Sequence, residues 1–74
     1  MKAYILIHVR TGEILQVLDL LKRVDEVIEA HMTLGPYDAI AVIQAAGVQD
    51  LGGLLANKIQ PIPGILETLT CLAI

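Results

Sequence analysis

Phenylalanine and tryptophan are absent and only two tyrosines are present, so aromatic residues make up 3% of the chain. A surface that recognises single-stranded nucleic acid by stacking needs such rings, and this chain has almost none to offer. Basic residues are also few. Five Lys and Arg stand against eight Asp and Glu, a net charge of -3, which leaves no basic stripe to neutralise phosphates and removes direct nucleic-acid binding from the expected functions. The single cysteine, Cys71, has no internal disulfide partner, in keeping with a reducing compartment, and its place in an apolar run suits a small buried hydrophobe. No apolar run approaches the roughly 20 residues of a membrane span. The start, Met1-Lys2-Ala3-Tyr4, leads into a strand pattern without a small-residue cleavage site, so the expected location is cytoplasmic. His8, His31 and Cys71 lack metal-ligand spacing, and neither a metal nor another cofactor is expected.

Aliphatic residues fill the space left by these absences. Hydrophobic residues are 55% of the 74 and mean hydropathy is +0.69. Residues 1–74 suffice for one domain, and a domain this small buries only about 60% of the surface its unfolded chain exposes. So much apolar surface cannot be hidden within one subunit, and part of it is expected to be covered by another copy.

Ala3–Arg10 alternates Ala3, Ile5, Ile7 and Val9 with Tyr4, Leu6, His8 and Arg10, the period of a strand. Thr11-Gly12 ends it, with Thr11 placed to cap a helix over Glu13–Val24. That helix carries Ile14, Val17, Leu18, Leu21 and Val24 on one stripe, with Leu15 and Leu20 at its borders. Val27–Thr33 and Ala39–Ala45 read as two more strands, the second apolar on both faces as an interior strand would be. Asp50 is placed to cap a second helix, Leu51–Ile59, which Gly52-Gly53 weakens and Pro61 and Pro63-Gly64 end. Ile65–Ile74 alternates as a final strand. The order β-α-β-β-α-β predicts an α+β, ferredoxin-like domain, a four-stranded antiparallel sheet with two helices on one face. The bare face, with Leu6, Ile40 and Val42, is expected to stack on a second sheet, giving a dimeric α+β barrel.

Between the second and third strands lies Leu34-Gly35-Pro36-Tyr37-Asp38. Two residues would be enough to join the strands, so this longer turn leaves the N–H groups of Gly35, Tyr37 and Asp38 without obligatory ladder partners. Those donors can converge on an anion. The Asp38 carboxylate beside them can hold a cation and Tyr37 adds a ring with a polar tip, so the turn suits a zwitterion.

Thr33-Leu34-Gly35-Pro36-Tyr37-Asp38, Asp50 opening a helix, and Ile62-Pro63-Gly64-Ile65 followed by Thr68 and Thr70 resemble the effector domain of the leucine- and asparagine-responsive (Lrp/AsnC) transcription regulators. This domain is also called the domain of regulation of amino-acid metabolism (RAM), and the resemblance covers essentially the whole chain. It implies a βαββαβ dimer built by sheet stacking, with dimers joined into rings of eight or ten. An effector amino acid would bind between dimers at Leu34, Gly35, Pro36, Tyr37 and Asp38. Its carboxylate would lie against N–H groups near Gly35 and Tyr37, its ammonium near Asp38, and Thr68 and Thr70 would supply hydroxyls. Full-length members carry an N-terminal helix-turn-helix, whereas this chain starts at the first strand of the effector domain. It therefore resembles a stand-alone version that binds no operator by itself and acts on full-length relatives by mixed assembly.

Plainer uses exist for the same residues. Asp38 can begin a strand and brace the turn, Tyr37 can pack, Gly35 can answer a backbone need, and Thr68 and Thr70 suit a strand by propensity. Glu29 and His31, alternate residues on one strand face, suit a surface ion pair. Two other functions stay open: a small ferredoxin-like enzyme of the monooxygenase or isomerase kind, with a cavity inside each subunit, and a purely structural partner of full-length regulators.

Overall fold

Alternation of Ala3, Ile5, Ile7 and Val9 with Tyr4, Leu6 and His8 builds a strand with one face wholly apolar. In the computed structural model, which describes residues 1–74, this strand is β1 (Lys2–Val9). It is followed by α1 (Ile14–Lys22), β2 (Val27–Met32), β3 (Ala39–Gln44), α2 (Val48–Leu54) with a π-helical turn over Leu55–Ile59, and β4 (Ile65–Leu72). The four strands form one antiparallel sheet in the order β2-β3-β1-β4, as the ferredoxin-like reading requires.

The helices cover the face that carries Ile5, Ile7 and Ile43. These three, with Val17, Leu21 and Ile59, are the largest fully buried side chains of one cluster that also takes in Leu51 and Leu54. Burying side chains of this size contributes about 1.5–3 kcal/mol each, so the α1 stripe is held down mainly by its packing. β3 is interior, as expected, with Ala39, Ala41 and Ile43 fully buried on the helix side. The opposite face, carrying Tyr4, Leu6, His8, Ile40 and Leu69, has no layer over it within the subunit.

Several local expectations are corrected. Thr11 does not cap α1. Glu13 holds the cap position, without a side-chain cap bond, and the helix is regular only to Lys22 because Arg23 and Val24 close shorter bonds to Leu20 and Leu21. Asp50 does not cap α2 either, since extended Gly47 precedes the helix and Asp50 lies inside the first turn, where its carboxylate suits the positive end. The helix thus begins before Gly52-Gly53, and both glycines face open space. Strict alternation fails on both edge strands. The register shifts between Val27 and Glu29 on β2, and beside Leu66 on β4, where Val9 pairs Ile65 and His8 pairs Glu67. A bulge adds one residue, so Val27 joins Ala30 on the helix side and Ile65 joins Thr68 and Thr70. Cys71 pairs with Tyr4 on the uncovered face and is exposed, not buried.

Candidate functional site

The tip of the β2–β3 hairpin is shaped by two bonds from Thr33. Its N–H donates to Asp38 O at 3.0 Å and its Oγ1 to Tyr37 O at 2.7 Å, which closes residues 33–38 into a single turn. Within it Gly35 has φ +153, a conformation that L side chains rarely adopt, and open space where a Cβ would stand. Pro36 has no N–H. Gly35 and Tyr37 donate to no group of the chain, as the turn chemistry predicted. Asp38 departs from that prediction: its N–H donates to Ile7 O at 2.9 Å. The reason is register, because β3 starts at Ala39 and the residue before it already lies beside β1.

The Asp38 carboxylate is also partly engaged. Its Oδ2 accepts from Val9 N–H at 2.8 Å, tying the turn to the end of β1, while Oδ1 has no partner within the chain. Asp38 therefore braces the fold with one oxygen and presents the other. His8, on the uncovered face of β1, stands behind both residues. Its ring stacks on Tyr37 at 4.5 Å between centroids and 28° between planes. Its Nδ1 is 3.7 Å from Asp38 Oδ2 and its Nε2 3.8 Å from Glu67 Oε1.

Below the turn is a hollow of about 280 Å³ lined by Leu6, Thr33, Leu34, Gly35, Pro36, Tyr37 and Ile40. Leu6 and Ile40 belong to the uncovered sheet face, so the hollow continues that face up to the tip. Leu34, at the rim of the hollow, is 99% exposed, an apolar side chain that its own subunit does not bury. Thr68 and Thr70 lie elsewhere. They pair with Ile7 and Ile5, so they point to the helix side of edge strand β4, and Thr68 lines a separate hollow with Gln60, Ile65, Leu66 and Glu67. One subunit thus brings the five turn residues together and leaves the two threonines on the opposite face. A third hollow, at the β2 edge, is lined by Lys22 and Val27–His31. The expected surface pair is present there, with His31 Nε2 3.1 Å from Glu29 Oε1. No hollow gathers Tyr4, Tyr37, His8, His31 and Asn57, the residues an intrasubunit enzyme site would draw on.

Residues 2–74 match the family described as the Lrp/AsnC ligand binding domain. The chain belongs to that family. As an Lrp/AsnC domain it is 32% identical over 74 residues to the HTH-type transcriptional regulator FL11 of Pyrococcus abyssi, covering 100% of this chain and 48% of the relative. The chain spans less than half the length of the curated relatives it matches. Among solved structures, FFRP-DM1 aligns with TM-score 0.93 and 33% identity over 99% of this chain and 97% of its own. E. coli AsnC aligns with TM-score 0.93 and 30% identity, over 97% of this chain and 49% of its own. At 11% identity the fold alone is shared with NMB0573, a regulator from Neisseria meningitidis solved as an L-Met complex, with TM-score 0.89 over 99% of this chain and 49% of that one. No helix is long and apolar enough to cross a membrane.

His8 is the residue beside the turn that sequence reasoning missed, having weighed it as a metal ligand and as a residue of an enzyme cavity but not as a neighbour of Tyr37 and Asp38. A signal was available: it alternates onto the uncovered face at the end of β1, one position from the pair Ile7 and Ala39 that opens β3.

Proposed function

We propose that this domain is a non-catalytic receptor for a small amino acid, bound where turn 33–38 meets a neighbouring subunit of a ring, and that it modulates transcription regulators of its own family through that assembly. The observation that carries the reading is the junction of an apolar hollow with free backbone donors. Gly35 and Tyr37 N–H groups offer a seat for the carboxylate, Asp38 Oδ1 offers one for the ammonium, and Leu6 and Ile40 floor the space for a side chain. A volume of about 280 Å³ falls just below the range of drug-sized ligand sites, about 300–1,000 Å³, and suits a small effector. The hollow is open on the side where Leu34 projects, so a second subunit completes it. Thr68 and Thr70 contribute only from another subunit.

In this assembly, uncovered sheet faces stack through Tyr4, Leu6, Ile40 and Leu69 into dimers, and dimers join into rings of eight or ten. The complex of NMB0573 with L-Met supports an amino acid as the ligand class. Mixed assembly with full-length regulators is the route by which the domain reaches transcription.

The test is thermal unfolding against the twenty amino acids at millimolar concentration, run beside native mass measurement. A ligand that binds only the folded state stabilises it by RT ln(1 + [L]/Kd), so one or a few amino acids raise the melting temperature and the mass reports a multiple of dimers. A flat response across all twenty overturns the reading.

A further inference from the structure

His8 occupies a position that the binding reading does not use. Its ring covers Tyr37 at 4.5 Å, and its two nitrogens face two carboxylates contributed by different strands, Asp38 at 3.7 Å and Glu67 at 3.8 Å. Both distances are longer than a hydrogen bond, so the contacts are governed by charge. A neutral imidazole leaves the Asp38 carboxylate with the Val9 N–H and nothing else. An imidazolium adds a cation beside the same oxygen, competing with any cation that Asp38 holds on its other side.

We propose that His8 is a positioning residue of the turn: it holds Tyr37 in place by stacking and couples its own proton to Asp38, so that ligand ammonium and His8 proton compete for one carboxylate. The competition rests on the turn being the effector site; the coupling of His8 to the turn does not. From the elements packed around His8, the titratable groups that face it are Asp38 at the head of β3, Glu67 on β4 and Tyr37 of the turn, whose ring stacks on it. Arg10, just past the end of β1, is drawn away to Glu13 at 3.4 Å.

The chemistry has a sign. A charged ring is a competitor, so affinity for a zwitterion is expected to weaken as the pH is lowered. His8→Phe keeps the stack on Tyr37 and removes both nitrogens, so its affinity loses that pH dependence.

Two measurements test this, one without ligand. In the ligand-free protein, NMR titration of the His8 ring is compared with that of the Val9 amide and the Tyr37 ring. The three are expected to share one midpoint in the wild type, and the Val9 and Tyr37 responses to vanish in His8→Phe. Unchanged responses in His8→Phe, or none in the wild type, overturn the coupling. Then L-Met, as probe, is titrated by calorimetry at pH 7.5 and pH 5.5, where Kd is expected to rise several-fold in the wild type and stay flat in His8→Phe. Equal pH dependence in both proteins overturns the competition. Absence of L-Met binding at either pH counts against the effector reading for that ligand, while the ligand-free titration still decides the role of His8.

Discussion

Replacing Gly64 by Ala isolates the contact that lets β4 start beneath α1. Gly64 is buried with φ +100, and its carbonyl accepts from Arg10 N–H at 2.7 Å, which ties the start of β4 to the end of β1. A Cβ there would stand 2.9 Å from Val17 Cγ2 and 3.1 Å from Glu13 Oε1, so Val17, itself fully buried, must shift. A left-handed backbone costs a non-glycine residue about 1–2 kcal/mol. Forcing a methyl into a packed core adds about 1–3 kcal/mol. The stiffer unfolded chain returns about 0.4–1 kcal/mol. The net expected loss for Gly64→Ala is therefore about 3 kcal/mol, or roughly 12–24 °C in melting temperature at about 4–8 °C per kcal/mol for a domain of this size. Gly12 is the control: its φ is +86 but no atom lies within 4 Å of an added Cβ. Gly12→Ala keeps the backbone cost without the collision and is expected to lose about 1 kcal/mol or less. Denaturant unfolding of both variants at one fixed protein concentration separates the two terms. Equal losses, within about 0.5 kcal/mol, would refute the claim that Val17 crowds this position.

Other perturbations probe the turn and the surface. Thr33→Val removes the hydroxyl bond to Tyr37 O and is expected to cost about 0.5–1.5 kcal/mol in denaturant unfolding, with a loosened turn seen as faster amide exchange at residues 34–37. Asp38→Asn keeps an acceptor for Val9 N–H but loses the charge, so near wild-type stability with a lost amino-acid thermal shift is the expected result; a full shift would show that the carboxylate holds no ammonium. Glu26 bends its carboxyl pKa below the ordinary value, first through a backbone hydrogen bond and then through Lys58, whose Nζ is 3.2 Å from both carboxylate oxygens. The folded state thus favours the ionised form, and the stability it contributes is present above the unfolded value and lost as the pH falls through the lower folded one. Lys58→Met should move the Glu26 titration back up, measured by NMR. Gly53→Ala, in open space on α2, is expected to stabilise by up to about 1 kcal/mol.

Much of the fold was legible because the helix-side residues of β1 and β3 and the α1 stripe keep strict periods over long stretches. Ala3, Ile5 and Ile7, or Val17, Leu18 and Leu21, admit one reading each. What escaped was local. Bulges at Ile28 and Leu66 depend on how an edge strand meets its neighbour, and no residue there announces an extra position. Caps were assigned to Thr11 and Asp50 by residue type, whereas the start of each helix follows from where the preceding strand releases the chain. At the turn, the donors of Gly35 and Tyr37 were readable from spacing alone. The bond from Asp38 N–H to Ile7 O was not, since it joins residues brought together only by register. The approach of His8 to Tyr37 and Asp38 escaped for the same reason, although its place on the second face of β1 was readable from alternation.

The two bulges lie on the two strands with a free edge, one at each side of the sheet. An irregular border offers an arriving strand a broken row of donors and acceptors, which discourages side-by-side growth into fibrils. The widest apolar surface of this aliphatic chain therefore lies broadside, on the uncovered face of the sheet, and not along its borders.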